Sequence, residues 1–114
     1  MQSILDLGRE VRSLLQWTMK AFAERKAEVA RSLWEQDKVV DKHSYVLRRD
    51  VMTMLEGARA IPALQQDPHV VQRTTHLLWI VYQLGRVADH CTNICERIVF
   101  IVEGETDILT SLEE

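Results

Sequence analysis

The sequence predicts an all-α protein, an antiparallel up-down-up three-helix bundle, and three observations carry that prediction. Only four glycines and two prolines punctuate the 114 residues, and none interrupts the stretch from Arg9 to Glu56. Apolar residues return at three- and four-residue steps throughout, the period of a buried helical stripe, and no alternating strand pattern competes with it. The dipeptide Asp67-Pro68 is a strong helix-start signal, because Asp offers an oxygen to free backbone N–H groups and Pro in the first turn forfeits no hydrogen bond.

The first stripe, Ile4, Leu7, Val11, Leu14, Leu15, Phe22, Val29 and Leu33, predicts a helix from about Ser3 to Trp34. The polar cluster Glu35-Gln36-Asp37 is then the predicted turn, with Asp37 as cap of the second helix. That second stripe runs through Val40, Ser44, Leu47, Val51, Leu55, Ala58 and Ile61, and Pro62 makes it fade near Ala60. The third helix starts at Pro68. Its stripe runs from Val70 to Val102, and Gly104 suits the left-handed helix stop. Residues 1–105 thus form one three-helix domain and 106–114 a short acidic tail.

Composition excludes several classes of function. At 46% hydrophobic and 27% charged the chain is an ordinary globular sequence, and a net charge of -3 opposes nucleic-acid binding. Purely apolar runs such as Ile98 to Val102 are far below the ~20 residues that span a bilayer, so no membrane insertion is expected. Asp6, Arg9, Glu10 and Arg12 leave no signal-peptide stretch, and a cytoplasmic protein is expected. Cys91 and Cys95, four apart in an apolar segment, read as buried thiols. There is no Gly-rich phosphate loop, Ser/His/Asp arrangement or Cys-x-x-Cys pair, so the chain is not expected to be an enzyme.

The candidate site is a level of acidic side chains. Tyr82, Gly85, Arg86, Asp89, Asn93 and Glu96 share one arc of the third helix, and Asp37 and Asp41 stack at i, i+4 upstream. In an antiparallel hairpin, two residues are level when their numbers average to the centre of the connection. Asp41 with Asp89, and Asp37 with Asn93, both centre on Gln65, inside the predicted connection Ala63 to Asp67. Three counter-charges suit such a level: salt bridges from Arg31, Arg86 or Lys42, a hard cation on carboxylate and amide oxygens, or a shared proton. A cation would make Asp37, Asp41, Asp89, Asn93 and Glu96 the candidate ligands, with His43 and His90 nearby. A di-iron carboxylate centre fails, since no Glu-x-x-His occurs.

The segment Arg86-Val87-Ala88-Asp89-His90-Cys91-Thr92-Asn93-Ile94-Cys95-Glu96, followed by an apolar run to Gly104-Glu105, resembles the late-helix signature of the PhoU family of phosphate-uptake regulators. That signature reads approximately Glu-Arg-Ile-Gly-Asp-His-Ala-Thr-Asn-Ile-Ala-Glu. Asp37-Lys38-Val39-Val40-Asp41 resembles the family's first acidic motif, and the likeness spans about Ile4 to Glu105. The resemblance implies a three-helix unit, usually found twice in tandem, whose acidic motifs in some members hold iron or zinc. It implies a cytosolic negative regulator of phosphate transport and starvation signalling, acting on a phosphate-specific ABC transporter ATPase and a sensor histidine kinase. Asp37 and Asp41 match the first motif and Asp89 half of the second, whose other acid is replaced by Gly85. A divalent or iron-type metal is the cofactor this implies. A lone unit is expected to form a homodimer, with Trp17, Phe100 and Ile101 lying off the main stripes. A cytosolic domain of a sodium/phosphate cotransporter and a free-standing metal-carboxylate protein are the alternative readings.

Overall fold

Three helices, α1 (Gln2–Glu24), α2 (Ala27–Ala60) and α3 (Pro68–Glu113), make up the computed structural model, which describes residues 2–60 and 68–113. They run up, down and up as an elongated bundle of 76 × 18 × 17 Å. At ~1.5 Å per residue the 46 residues of α3 account for most of that length. The radius of gyration, 19.8 Å, exceeds the roughly 13 Å of a compact domain of this size. No described helix is long and apolar enough to cross a membrane.

The core follows alternating three- and four-residue steps. In α1 it comprises Ile4, Leu7, Val11, Leu14, Thr18 and Ala21. In α2 it includes Ala30, Leu33, Val40, Ser44, Val51 and Leu55, and in α3 Thr74, Val81, Ala88, Cys91, Cys95 and Ile98. This is the spacing of knobs-into-holes packing, in which each core side chain sits among four residues of a neighbouring helix. Asp37 falls on the same stripe of α2, three residues before Val40 and seven before Ser44. The sequence therefore places a carboxylate at a core position.

The first connection corrects the sequence reading. The chain does not continue as one helix to Trp34, nor turn at Glu35-Gln36-Asp37; it reverses at Arg25 and Lys26. Arg25 takes a left-handed backbone conformation (φ 53°). Its N–H bonds to the Phe22 carbonyl at 3.3 Å and the Lys26 N–H to the Ala21 carbonyl at 3.0 Å. That pair of bonds is a Schellman stop, here with Arg in the place glycine usually takes. The Lys26 carbonyl then accepts from Ala30 N–H at 3.1 Å and opens α2. Asp37 is consequently interior to α2 and caps nothing. Val29 and Leu33 belong to α2, and Leu15 and Phe22, assigned to the first stripe, are exposed.

The second half agrees more closely. Helix α2 closes at Ala60 and α3 opens at Pro68, while the Asp67 cap and the connection Ala63 to Asp67 lie outside the described residues. Gly104 does not end α3: it lacks a positive φ, and the helix runs on to Glu113 through the segment read as a tail. Arg31 and Glu103 form an ion pair that ties the start of α2 to the late part of α3.

Candidate functional site

The α2–α3 seam keeps one register along the described residues. Ser44 lies opposite Gly85, where an added Cβ would sit 3.1 Å from the Ser44 hydroxyl. One step towards the start of α2, Asp37 lies beside Thr92 and within electrostatic reach of Asp89 and Asp41. In the other direction Arg48 and Met52 face Leu78, Trp79 and Tyr82. These pairings keep the Gln65-centred register expected from the sequence to within a residue. Asp37, Asp41 and Asp89 are brought to one level, as the antiparallel argument requires.

Asp37 is the most constrained of the three. One of its carboxylate oxygens, Oδ1, is buried without a hydrogen-bond partner. Thr92 is the neighbouring group that favours ionisation, but its hydroxyl donates to the Ala88 carbonyl at 3.3 Å. Burial pushes the Asp37 carboxyl above its ordinary value, Thr92 opposes the shift, and the charges of Asp89 and Asp41 add to it.

Behind this level lies a small polar layer in the core. Thr18, fully buried, donates its hydroxyl to the Leu14 carbonyl at 2.7 Å and lies 3.6 Å from Cys95 Sγ. With that proton committed, the Cys95 thiol is the donor to Thr18 Oγ1. Burial raises the Cys91 and Cys95 thiols, Thr18 opposes the rise, and the Asp37 charge adds to it. The thiols stay protonated, packed and unreactive.

The remaining residues read as ligands from the sequence line surface depressions or are exposed. Asn93 and Glu96 share a surface depression with Arg97 and Phe100. His43 accepts or donates at Nδ1 with the Glu10 carboxylate, 2.9 Å across the α1–α2 seam. It lines a groove of about 670 Å³ together with Lys38 and Lys42, and His90 is exposed. Among the described residues no group of three or more His, Cys, Asp or Glu side chains is arranged to hold a metal ion. At position 85, where the resemblance implies an acid, glycine faces Ser44 closely enough that any side chain meets the hydroxyl. The donor set does not fit a multinuclear metal centre.

Sequence reasoning missed the aromatic end of this seam. Trp79 and Tyr82 meet edge to face with ring centroids 6.0 Å apart, and with Arg48, Met52 and Leu78 they line a groove of about 460 Å³. Extending the Gln65-centred register by two turns would have found it.

Comparison with known proteins agrees with this architecture. The family model of the PhoU domain matches residues 4–98. The phosphate-specific transport system accessory protein PhoU homolog of Pseudomonas aeruginosa is 30% identical over 97% of this chain and 43% of its own length. The homolog of Caulobacter vibrioides is 32% identical over 91% of this chain and 41% of its own, and PhoU of Escherichia coli 31% identical over 90% and 39%. The chain therefore spans about two-fifths of the length of these curated relatives. No solved structure gives a significant match. Matched along most of its length and built of three helices in the expected register, the chain belongs to the PhoU domain family.

Proposed function

We propose that the chain is a regulatory interaction module of phosphate uptake that works by contact and not by catalysis. The observation that carries this reading is the family match over residues 4–98, shared with relatives named as accessory proteins of phosphate-specific transport. The described surface is consistent with it: it offers grooves and exposed aromatic residues, with both thiols buried. The module acts in the cytoplasm on the ATPase of a phosphate-specific ABC transporter and on a sensor histidine kinase, restraining uptake and the starvation response.

It works as a homodimer, so that two three-helix units stand together. Support for pairing comes from exposed apolar residues on α1 and α3, among them Phe22 and Ile101, which line one hollow of about 300 Å³. Expression in a bacterium lacking its own phosphate-transport accessory protein tests the function. Phosphate-starvation reporter activity in phosphate-rich medium should fall several-fold relative to empty vector. An unchanged reporter, with the chain folded and abundant, would overturn the reading.

A further inference from the structure

Helix α3 has two chemically different edges. On the α2 side Asp89, Glu96 and Glu103 recur every seven residues; Glu103 pairs with Arg31, and Asp89 lies within reach of Asp37. The α1 side carries the exposed series Ile80, Val87 and Ile101, the last of which shares a hollow with Phe22. Arg73 begins the same series seven residues before Ile80, and His76, His90 and Arg97, all exposed, lie three residues on from its members. The contact between Thr18 and Cys95 sets the height of α1 against its parallel neighbour, so that exposed Arg12 stands level with Asp89 and Glu24 with Ile101. Among the described residues this edge has no uncommitted acid: Asp6 is paired with Arg9, Glu24 with Lys26 and Glu10 with His43. Arg12 and Arg97 make no ion pair with a described residue. Past Val102 the sign reverses. No Lys or Arg follows Arg97, and after the Arg31-bound Glu103 come Glu105, Asp107 and Glu113. There α1 and α2 have already reversed, and α3 alone runs on to Glu113. A helical stretch that short is marginal in water unless something packs on it.

We infer that a second copy supplies the packing: two α3 helices lie antiparallel across a two-fold axis at Ile101, the acidic end of each beside the basic α1-side edge of the other. Charge complementarity selects both the occupant and the direction. An apolar stripe that is basic at one end and acidic at the other repels itself in a parallel pair and matches itself in an antiparallel one, and the antiparallel pair is the self-complementary contact a two-fold dimer requires. An anionic membrane would match the basic end but is repelled by the acidic one. The axis follows from where the sign changes, because Arg97, the last cation, and Glu105, the next acid after Glu103, average to Ile101. About that centre Ile94 is level with the partner's Ile108, and Arg12, at the height of Asp89, is level with the partner's Glu113. Residues 89–113 then overlap over roughly 35 Å of helix, long enough for a contact of about 800 Å² from each copy. The inference rests on the pairing proposed above and names its seam and direction.

The test is sedimentation equilibrium of the full chain. Wild type should form dimers that weaken as salt is raised. Arg97→Glu and Glu105→Arg should each weaken self-association about tenfold or more, since each sets like charges at both symmetry-related contacts. An equimolar mixture of the two variants should associate as tightly as wild type, because both contacts are then opposite in sign, and that recovery also shows that both variants fold. Ile101→Cys should cross-link to its own copy with copper–phenanthroline, while Ile80→Cys, away from the axis, does not, and wild type, with Cys91 and Cys95 buried, does not. A dimeric wild type indifferent to both reversals, a mixture no tighter than either variant alone, or cross-linking at position 80 and not at 101 would overturn the seam and leave the pairing itself standing. A chain that stays monomeric at millimolar concentration, including one that binds phosphatidylglycerol vesicles through Arg97 instead, would overturn both. The starvation reporter is a separate measurement, so either failure is distinguishable from failure of the phosphate-regulation reading.

Discussion

Asp37 shows how one residue can conflict with the pattern that surrounds it. Its place in the three-four stripe of α2 is a core place, yet it brings a carboxylate whose Oδ1 is buried and unpartnered. A buried polar group without a hydrogen bond is destabilising, here by an amount reduced because the side chain is only partly buried. Burial first, then the charges of Asp89 and Asp41, hold its carboxyl above the ordinary value. Below the ordinary aspartate range the group is protonated in folded and unfolded chains alike, and no penalty arises. As pH rises, the unfolded chain ionises first, and stability falls until pH passes the raised folded value. Asp37→Asn removes the titration. Urea unfolding should therefore show variant and wild type nearly equal at pH 3, with the variant more stable by up to about 1 kcal/mol near neutral pH. Parallel stability curves across that range would show that Asp37 is solvated after all.

At the scale of the helices, the close approach of α2 and α3 is set by small side chains at matching heights. Gly85 faces Ser44, and an added Cβ would stand 3.1 Å from the hydroxyl, tighter than most side-chain contacts. Ala in a helix interior is favoured over Gly by about 1 kcal/mol, so Gly85→Ala gains propensity and loses it again to the crowded hydroxyl. Thermal or urea unfolding should find Gly85→Ala near neutral alone. In a Ser44→Ala background the same change should stabilise by about 1 kcal/mol, and strict additivity of the two would remove the contact argument. This register was legible in the sequence because two prolines bracket the second connection, and an antiparallel pair needs only its centre to fix every facing residue. The first connection was not legible. Arg25 takes the left-handed stop without Gly or Asn to announce it, and Val29 and Leu33 continue the apolar spacing of α1 straight across the reversal. Asp37 consequently looks like a cap in the sequence, although its spacing to Val40 and Ser44 already marks it as interior. Of the candidate ligands, Asp41 and Asp89 lie within electrostatic reach of Asp37, while Asn93, at the height of Asp37, opens with Glu96 onto a surface depression; the helical arc that groups Asn93 and Glu96 with Asp89 describes position around an axis, not which neighbour each side chain meets.

The molecule as a whole has more apolar surface than three helices can cover for one another. On α3, Ile80, Val87 and Ile101 stand exposed at multiples of seven residues, and on α1 Leu5, Leu15, Met19 and Phe22 are exposed as well. Phe22 and Ile101 line a common hollow, so the two sets are neighbours there. Seven-residue spacing keeps side chains on one edge of a supercoiled helix, which is where a further helix would pack. A stable interface needs about 800 Å² from each partner. A bundle 76 Å long and 18 Å wide has room for that on one face. Sedimentation equilibrium should give twice the 13.2 kDa chain mass at micromolar concentration. Ile101→Lys, which sets a charge into that contact, should weaken association by about 2 kcal/mol, or roughly thirtyfold. Its helical melting should change little, because the side chain is 45% exposed in the single chain. A wild-type chain that stays monomeric at millimolar concentration would mean that this edge is covered by something other than its own copy.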